Sequence, residues 1–330
     1  MLKLMSGIVL ALAALVPAAA LAQAASTSSG QAYPLKPVRL IAPYPPGGTS
    51  DTVCRLVAQK VSDAMGRPIV IENRPGAAGN VGHEVAAKSP PDGYTLILTN
   101  AAAMVTNQFL YKKLNFNPHT DFAPISLVAT AAPMLVVHPS LPVKNVKELV
   151  ALAKARPGQL NFGSGGVGTT SHIIGEVFQS ATGVKMVHVP YKGGILSTLD
   201  LVAGQIQLSF ADMVPSVPQV KANKLRALAV TSEQRSNALP DVPTMKDAGV
   251  KAEFPTQWWA FAAPRGTPAA VIGRLNADIG QAMKAPDLQE KYASMGIFTA
   301  HTTPERVSEL QKSGTKLMAG IVKRAGIQPE

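Results

Sequence analysis

The chain of 330 residues has a single cysteine, Cys54, so no disulfide can form within it. Aromatic residues make up only 5% and charged residues 15% of the chain, and no dense basic run is interleaved with aromatic side chains despite a net charge of +11. No uninterrupted apolar stretch reaches the ~18 residues that a membrane-spanning helix needs. These absences argue against disulfide scaffolds, membrane proteins and nucleic-acid-binding proteins, so we expect no nucleic acid among the partners. The excess of positive charge instead favours acidic small molecules as ligands.

The N-terminus has the pattern of a secretory signal peptide. Lys3 precedes the apolar run Ile8 to Val16, and the small residues of Ala20-Leu21-Ala22 resemble a cleavage site. We therefore expect a signal peptide over residues 1–22, cleavage near Ala22 and a mobile leader over residues 23–36. No cysteine stands at the expected cleavage site, so a lipid anchor is not expected.

One stretch, Pro43 to Gly66, organises the chain. The apolar segment Val38 to Ala42 predicts a strand, and it runs into a first glycine loop, Pro43 to Asp51. Apolar residues at helical spacing follow, and Gly66 stands where a left-handed cap would end the helix. We expect Thr49 or Ser50 to cap the start of this helix. Its free N–H groups and positive dipole end would then form a site for an anion.

The same arrangement occurs a second time. The segment Gln159 to Phe162 predicts a strand, the second glycine loop spans Gly163 to His172, and a helical pattern follows as far as Gly183. Gly48, Gly66 and Gly76 share one offset along the chain with Gly165, Gly183 and Gly193. Two similar α/β lobes, each offering a helix N-terminus, are the simplest explanation.

Strand and helix patterns alternate along the chain, which favours a mostly parallel sheet. The extended apolar run Ala123 to Val137, broken at Pro133, indicates a crossing between lobes. We expect lobe 1 over residues 37–131, lobe 2 over 132–229, and a return to lobe 1 with C-terminal helices over 230–330. Hinges are expected near Ala129 to Met134 and near Leu228 to Ser232.

Patterns typical of enzymes and cofactor sites are incomplete. The spacing Gly163-x-Gly165-x-x-Gly168 fits a dinucleotide fingerprint, but no Asp or Glu stands about 20 residues further on to hold a ribose. No lysine follows Gly168, no serine lies in a nucleophile elbow, and no Cys/His cluster has metal spacing. We therefore expect no catalytic residues, no metal and no cofactor.

Five side chains each allow two interpretations. His172 could donate to a ligand or to a neighbouring carbonyl, and Asp212 could face a cleft or cap the next turn. Trp258 and Trp259 are adjacent in a predicted strand, so their side chains point to opposite faces. One would lie in the core, while the other would approach the cleft or a partner. Tyr44 could form the wall of a ligand pocket or pack beneath its loop.

Three segments together resemble the Bug family: Tyr44 to Asp51, Ile71 to Asn80 and Pro91 to Leu96. This family comprises the periplasmic solute receptors of tripartite tricarboxylate transporters. Further similar segments are Asn161 to Gly165, His188 to Gly193 and Leu239 to Thr244, so the resemblance covers essentially the whole chain after the leader.

The resemblance implies an α/β, two-lobed periplasmic-binding-protein fold of type II, with a ligand cleft between lobes that are joined by two crossing segments. It also implies that the protein lies in the periplasm, closes around an organic acid and passes it to a membrane permease. By position, the implied ligand-binding residues are Tyr44, Gly47, Gly48, Thr49, Asp51, Thr99, Asn100, Ala103, Ser164, Gly165, Gly168, Thr169, Thr170, His172 and Asp212. The chain departs from the family pattern at Asn100 to Ala103 and at Gly194 to Ser197. Both segments lie where the resemblance places the ligand pocket, so the identity of the ligand stays open.

We expect a monomeric receptor for a mono- or dicarboxylate, aliphatic or aromatic, that has no chemistry of its own. One alternative is an exported hydrolase of an ester or amide, suggested by Ser50 and Ser164 beside anion-holding loops. Another is a sensor subunit that presents its liganded form to a signalling partner. Neither glycine loop has Arg or Lys between its first glycine and the first helical turn. We therefore expect backbone N–H groups to hold the carboxylates.

Overall fold

The structure, a computed structural model, describes residues 33–325 and residue 329. The expected signal peptide and residues 23–32 of the expected leader lie outside the described residues. From Lys36 onward the chain forms one unit that contains two β-sheets. In chain order the elements are β1 (Val38–Ala42), α1 (Thr49–Met65), β2 (Ile69–Asn73), α2 (Asn80–Ala87), β3 (Thr95–Asn100), β4 (Phe122–Ala131), β5 (Met134–Val137), α3 (Val146–Ala155), β6 (Asn161–Ser164), α4 (Thr170–Thr182), β7 (Val187–Pro190), α5 (Gly194–Val202), β8 (Leu208–Ala211), α6 (Met213–Lys221), β9 (Arg226–Val230), β10 (Gln257–Pro264), α7 (Ala269–Ala282), α8 (Pro286–Ser294), β11 (Ile297–Thr299) and α9 (Pro304–Ala325).

Each sheet forms the centre of one lobe, so the two-lobed α/β fold is confirmed. Lobe 1 has the strand order β11-β4-β10-β3-β1-β2, and lobe 2 has β7-β6-β8-β5-β9. Strand β1 is parallel to β2 and β3, and β6 is parallel to β7 and β8. The pairs of β10 with β3 and β4, of β11 with β4, and of β5 with β8 and β9 are antiparallel. The expectation of a mostly parallel sheet is therefore wrong, because strands next to the crossings run against their neighbours.

The predicted strand, turn and helix around the first glycine loop are present. The parallel strands β1 and β2 are joined by α1, which buries one face that includes Val53, Cys54 and Val57. Gly66 ends the helix with φ of 68°, the left-handed conformation that favours glycine. Because this crossover starts at the carboxyl end of β1, it places the N-terminus of α1 at one edge of the sheet.

The chain enters lobe 2 between β4 and β5, at the break that Pro133 predicts. The return lies further along the chain than expected. Met245 donates its backbone N–H to the carbonyl of Val230 at 2.9 Å, and both Met245 and Val250 are buried in a core cluster of lobe 2. Residues 230–254 thus pack with lobe 2, and lobe 1 resumes at β10. The boundary expected at residue 230 moves to about 255, because these irregular residues bury apolar side chains without a periodic pattern.

Two elements have no counterpart in the sequence patterns. Helix α6 contains Pro215 near its start and Pro218 in its interior, and proline normally argues against a helix because it lacks the N–H donor. Strand β11 has only three residues and pairs with β4 at the edge of the lobe 1 sheet. Strand pairing and burial outweigh local propensity at both places.

The lobe 2 core is closely packed around three phenylalanine rings. Phe178 of α4 lies 5.4 Å from Phe210 of β8 between ring centroids, and Phe162 of β6 lies 6.2 Å from Phe210. Gly175 of α4 lies against Phe162: a Cβ added at Gly175 would come within 2.3 Å of the ring. Because Gly175 has no side chain, helix α4, which follows the second glycine loop, can pack close to its sheet.

We predict that Gly175→Ala lowers the free energy of unfolding by about 1–3 kcal/mol, because the added methyl group overpacks the core. Gly273→Ala is the matched control, since Gly273 is an exposed glycine in α7 with no atom within 4 Å of an added Cβ, apart from chain neighbours and its own helix backbone. It should raise the free energy of unfolding by ~0.4–1 kcal/mol. Urea unfolding measures both changes, and equal effects of the two substitutions would contradict the packing argument.

Candidate functional site

A cavity lies between the lobes. The starts of α1, α4 and α5 border it, together with residues at the starts of α6 and β10. Eight predicted site residues line it: Tyr44, Gly48, Thr49, Asn100, Gly165, Thr169, Thr170 and Asp212. Further lining residues are Pro45, Ser50, Ala101, Ala102, Ser171, Gly193, Gly194, Ile195, Gln257, Trp258 and Trp259.

The start of α1 presents polar groups to the cavity. Gly48 is the N-cap residue and no side chain caps the helix, so the expectation that Thr49 or Ser50 does so is wrong. The Ser50 hydroxyl accepts a hydrogen bond of 2.8 Å from Nε1 of Trp259. The Thr49 hydroxyl is buried and has no hydrogen-bond partner in the described structure. This hydroxyl and the amides of the first turn are available to a ligand.

The start of α4 is held by its own loop. Thr169 is the N-cap residue, and its hydroxyl donates to the carbonyl of Gly166 at 2.7 Å. The hydroxyl of Ser171 accepts the backbone N–H of Gly165 at 3.0 Å. These bonds use the hydroxyls to fix the loop, which leaves the amides of the first turn directed at the cavity.

A third helix start, that of α5, reaches the cavity through Gly193, Gly194 and Ile195. Gly193 has φ of 123°, and its backbone N–H donates to the carbonyl of Gly165 at 3.0 Å. In the sequence, the only signals for this contribution are the offset shared by Gly76 and Gly193 and the family departure at Gly194 to Ser197. Neither placed α5 at the pocket by itself.

The lining also includes side-chain oxygen acceptors and the two tryptophans. Gln257 donates from Nε2 to Oδ1 of Asp212 at 2.7 Å, which joins the start of β10 to the start of α6. The Asp212 side chain makes no capping bond, so the structure favours the cleft-facing interpretation over the capping one. Burial raises the pKa of Asp212, and the Gln257 amide opposes this shift. Trp258 and Trp259 are both buried, and both border the cavity.

The other predicted residues do not line this cavity. The Asp51 carboxylate accepts from Arg55 at 2.9 Å and from the backbone N–H of Gly47 at 3.1 Å. Although burial alone would raise it, hydrogen bonds from Arg55, Asn73 and Gly47 hold the pKa of Asp51 below its usual value. Thr99 bonds to His83 at 2.9 Å, and the Ala103 amide donates to Asn100 at 3.2 Å. These side chains therefore hydrogen-bond within the protein and stabilise the loops.

Three predicted residues brace the second glycine loop. Oγ of Ser164 lies 2.6 Å from Nε2 of His188 and accepts the backbone N–H of Gly166 at 3.1 Å. Nδ1 of His172 accepts the backbone N–H of Gly168 at 3.2 Å. His172 was expected to donate either to a ligand or to a neighbouring carbonyl. The structure shows neither bond, because the His172 ring accepts a backbone N–H within its own loop. The imidazoles of His172 and His188 stack with centroids 4.1 Å apart.

Side-chain cations are absent from the residues that line the cavity. Arg74 pairs with Glu72, and Lys192 is exposed in an adjoining chamber that shares Tyr44, Pro45, Gly165 and Gly193 with the cavity. Asp212 is the only residue of the lining with a formal charge. The arrangement can hold an anion by amides and hydroxyls at the helix starts, and the acceptors of Asp212 and Gln257 also border the cavity.

No cluster of three or more metal-ligating side chains occurs in the part of the chain that the structure describes. Nor does any of its helices have the length and hydropathy to cross a membrane.

Comparison with known proteins connects this geometry to a family. The sequence model of one protein family, described as the tripartite tricarboxylate transporter family receptor, matches residues 53–327 of this chain. The chain belongs to this family. Its members are solute-binding receptors of the periplasm, which confirms the resemblance to the Bug family.

Three solved structures of the family are similar to the chain. The R. palustris protein Rpa4515 with adipate is 33% identical, covers 91% of this chain and 100% of its own, and has a TM-score of 0.88. The periplasmic binding protein BugD is 31% identical, with coverage of 90% and 100% and a TM-score of 0.86. MatC from Rhodopseudomonas palustris, with bound malate, is 27% identical, with coverage of 88% and 100% and a TM-score of 0.83.

The buried histidines of this receptor predict how its stability depends on pH. Burial and the neighbouring His188 lower the pKa of His172 to about 3, and burial lowers that of His188 to about 4. Both are therefore neutral in the fold but titrate near 6.5 in the unfolded chain. Between these values the unfolded chain binds more protons, so the free energy of unfolding decreases as the pH falls.

We predict a smaller loss of stability at low pH for His172→Asn, which keeps an acceptor for the Gly168 amide. Between pH 6.5 and 5.5 its free energy of unfolding should fall by about 1 kcal/mol less than that of the wild type. Urea unfolding across pH 5.5–8 measures the difference, and the values above pH 7.5 supply the baseline for each protein. Parallel curves for the two proteins down to pH 5.5 would contradict a neutral, buried His172.

Proposed function

We propose that this receptor captures a small organic carboxylate, mono- or dicarboxylate, in the cavity between its lobes and delivers it to a tripartite tricarboxylate-type membrane transporter. It acts in the periplasm as a monomer and makes transient contact with the permease subunits. The observation that carries the proposal is the convergence of three helix starts on a cavity whose lining has no Lys or Arg. The ligands in two relatives, adipate and malate, are both dicarboxylates.

The anion is held by backbone donors. In this proposal the amides of the first turns of α1, α4 and α5 donate to the carboxylate, and the unpartnered hydroxyl of Thr49 adds one hydrogen bond. Each helix dipole contributes ~0.3–1 kcal/mol, and each hydrogen bond to a charged group contributes about 1.5–3 kcal/mol. A few such contacts account for tight binding of a small acid without an ion pair.

Binding is coupled to closure of the lobes. In the structure they already touch across the cleft, since Tyr111 of lobe 1 donates to the Val167 carbonyl at 3.3 Å and Gln257 donates to Asp212. Hinge rotation at Ala132 and Pro133 and near residues 255–256 would open the cavity. The first position agrees with the hinge expected near Ala129 to Met134, and the second replaces the one expected near Leu228 to Ser232.

The geometry argues against the hydrolase alternative. Ser164 and His188 are within hydrogen-bond distance, but Ser164 is buried, does not line the cavity and bonds to its own loop. The low pKa of His188, about 4, makes it a weak base at neutral pH. The Ser50 hydroxyl lies at the cavity, yet its recorded partner is the Trp259 ring N–H, which cannot accept its proton. We therefore assign no chemistry to either serine.

We predict that Gly48→Val abolishes or weakens carboxylate binding by more than about tenfold, because the side chain occupies the approach of the anion to the α1 amides. A Cβ at Gly48 has no atom nearer than the Pro45 carbonyl oxygen at 3.9 Å, so the fold should tolerate it. Lys192→Met, outside the lining, is the control and should keep the affinity within about twofold.

Isothermal titration calorimetry with adipate, malate and benzoate on the three proteins makes the comparison. Loss of binding in Lys192→Met together with normal binding in Gly48→Val would overturn the helix-start mechanism. If none of a wider set of aliphatic and aromatic carboxylates binds the wild type, the proposed function itself is wrong.

A further inference from the structure

Two side-chain oxygens on residues that line the cavity have no hydrogen-bond donor among the described residues. Oε1 of Gln257 is buried and accepts no hydrogen bond in the described structure. Its amide nitrogen donates to Oδ1 of Asp212, and a carboxylate only accepts, so the amide must present its nitrogen to Asp212. The Oε1 atom is therefore left as a free acceptor beside the carboxylate.

The Asp212 carboxylate is pressed against a helix start. A Cβ added at Gly194 would lie 2.3 Å from Oδ2 of Asp212, so only a glycine at this position leaves room for the carboxylate. Neither a Lys nor an Arg borders the cavity to neutralise it. Two oxygen acceptors, Oδ2 of Asp212 and Oε1 of Gln257, thus belong to bonded neighbours that line the cavity, and neither oxygen has a donor in the part of the chain that the structure describes.

We propose that the ligand is a carboxylic acid that also carries a hydrogen-bond donor, either a hydroxyl or an ammonium group, and that Asp212 and Gln257 select it. The inference rests on the proposed function and narrows it to hydroxy- or amino-substituted acids. A carboxylate of the ligand lies at the starts of α1 and α4, and its donor group satisfies Asp212, which lies against the start of α5, and Gln257. Acids without the donor leave these buried acceptors unpaired, and sites of this kind strongly reject such analogues.

The test compares ligands that differ only in the donor. Succinate, malate and aspartate form one series, and glutarate, 2-hydroxyglutarate and glutamate form a second with one more carbon. Calorimetric titration of the wild type should show a preference of at least about tenfold for a hydroxyl- or ammonium-bearing member over the unsubstituted acid of the same length. The better of the two substituted members identifies the donor.

Variants then assign the preference to the acceptor pair. Asp212→Asn and Gln257→Met should reduce the preference to within about threefold, mainly by weakening the substituted acids. Thr49→Val, at the start of α1, is the matched control: it should weaken both members of a pair alike and leave their ratio unchanged.

Each outcome is decisive. Equal or tighter binding of succinate and glutarate to the wild type overturns the inference and leaves the proposed function standing. A preference that survives both acceptor substitutions overturns the roles of Asp212 and Gln257. Binding by no acid in either series, or in the wider carboxylate set, counts against the proposed function. The wild-type comparison decides the ligand class even where a variant does not fold.

Discussion

Unpaired backbone N–H groups at helix starts are the constraint on which this structure depends. The first turn of a helix leaves its amides without partners, and burying them is costly unless another group accepts them. Here three such starts, of α1, α4 and α5, converge on one cavity, and the lining residues include no cationic side chain. In the proposed function an anion satisfies these amides, so the need for partners at the helix starts and the recognition of a carboxylate have the same physical origin.

The fold brings the three helix starts together because the helices follow parallel strands. Helices α1 and α4 follow β1 and β6, and α5 follows β7. A helix that follows a strand of a parallel pair begins at the carboxyl end of that strand, which is where ligands bind in open α/β sheets. The antiparallel strands β4, β5 and β10 serve another purpose, since they carry the chain between lobes and β10 brings Gln257 to the cavity.

Local sequence patterns predicted much of this arrangement. The strand, glycine loop and helix at residues 38–66 and 159–183 are regular enough to predict, and the resemblance to the Bug family implied Tyr44, Gly48 and Thr49 as ligand-binding residues, all of which line the cavity. The patterns failed where tertiary packing decides. Ser164 and His172 have the residue types of a binding site, but the structure shows that they bond within the loop. Gln257 lies far along the chain from Asp212, and no local pattern could indicate that the two meet. Residues 230–254 pack with lobe 2 through buried side chains that follow no period.

The central claim is that backbone amides and not side-chain cations hold the ligand. A crystal structure of the complex with the tightest-binding carboxylate tests it most directly. We expect carboxylate oxygens within about 3.2 Å of amide nitrogens in the first turns of α1, α4 or α5. A carboxylate bound instead by the side chain of Lys192 or Arg74, with these amides unoccupied, would contradict the account.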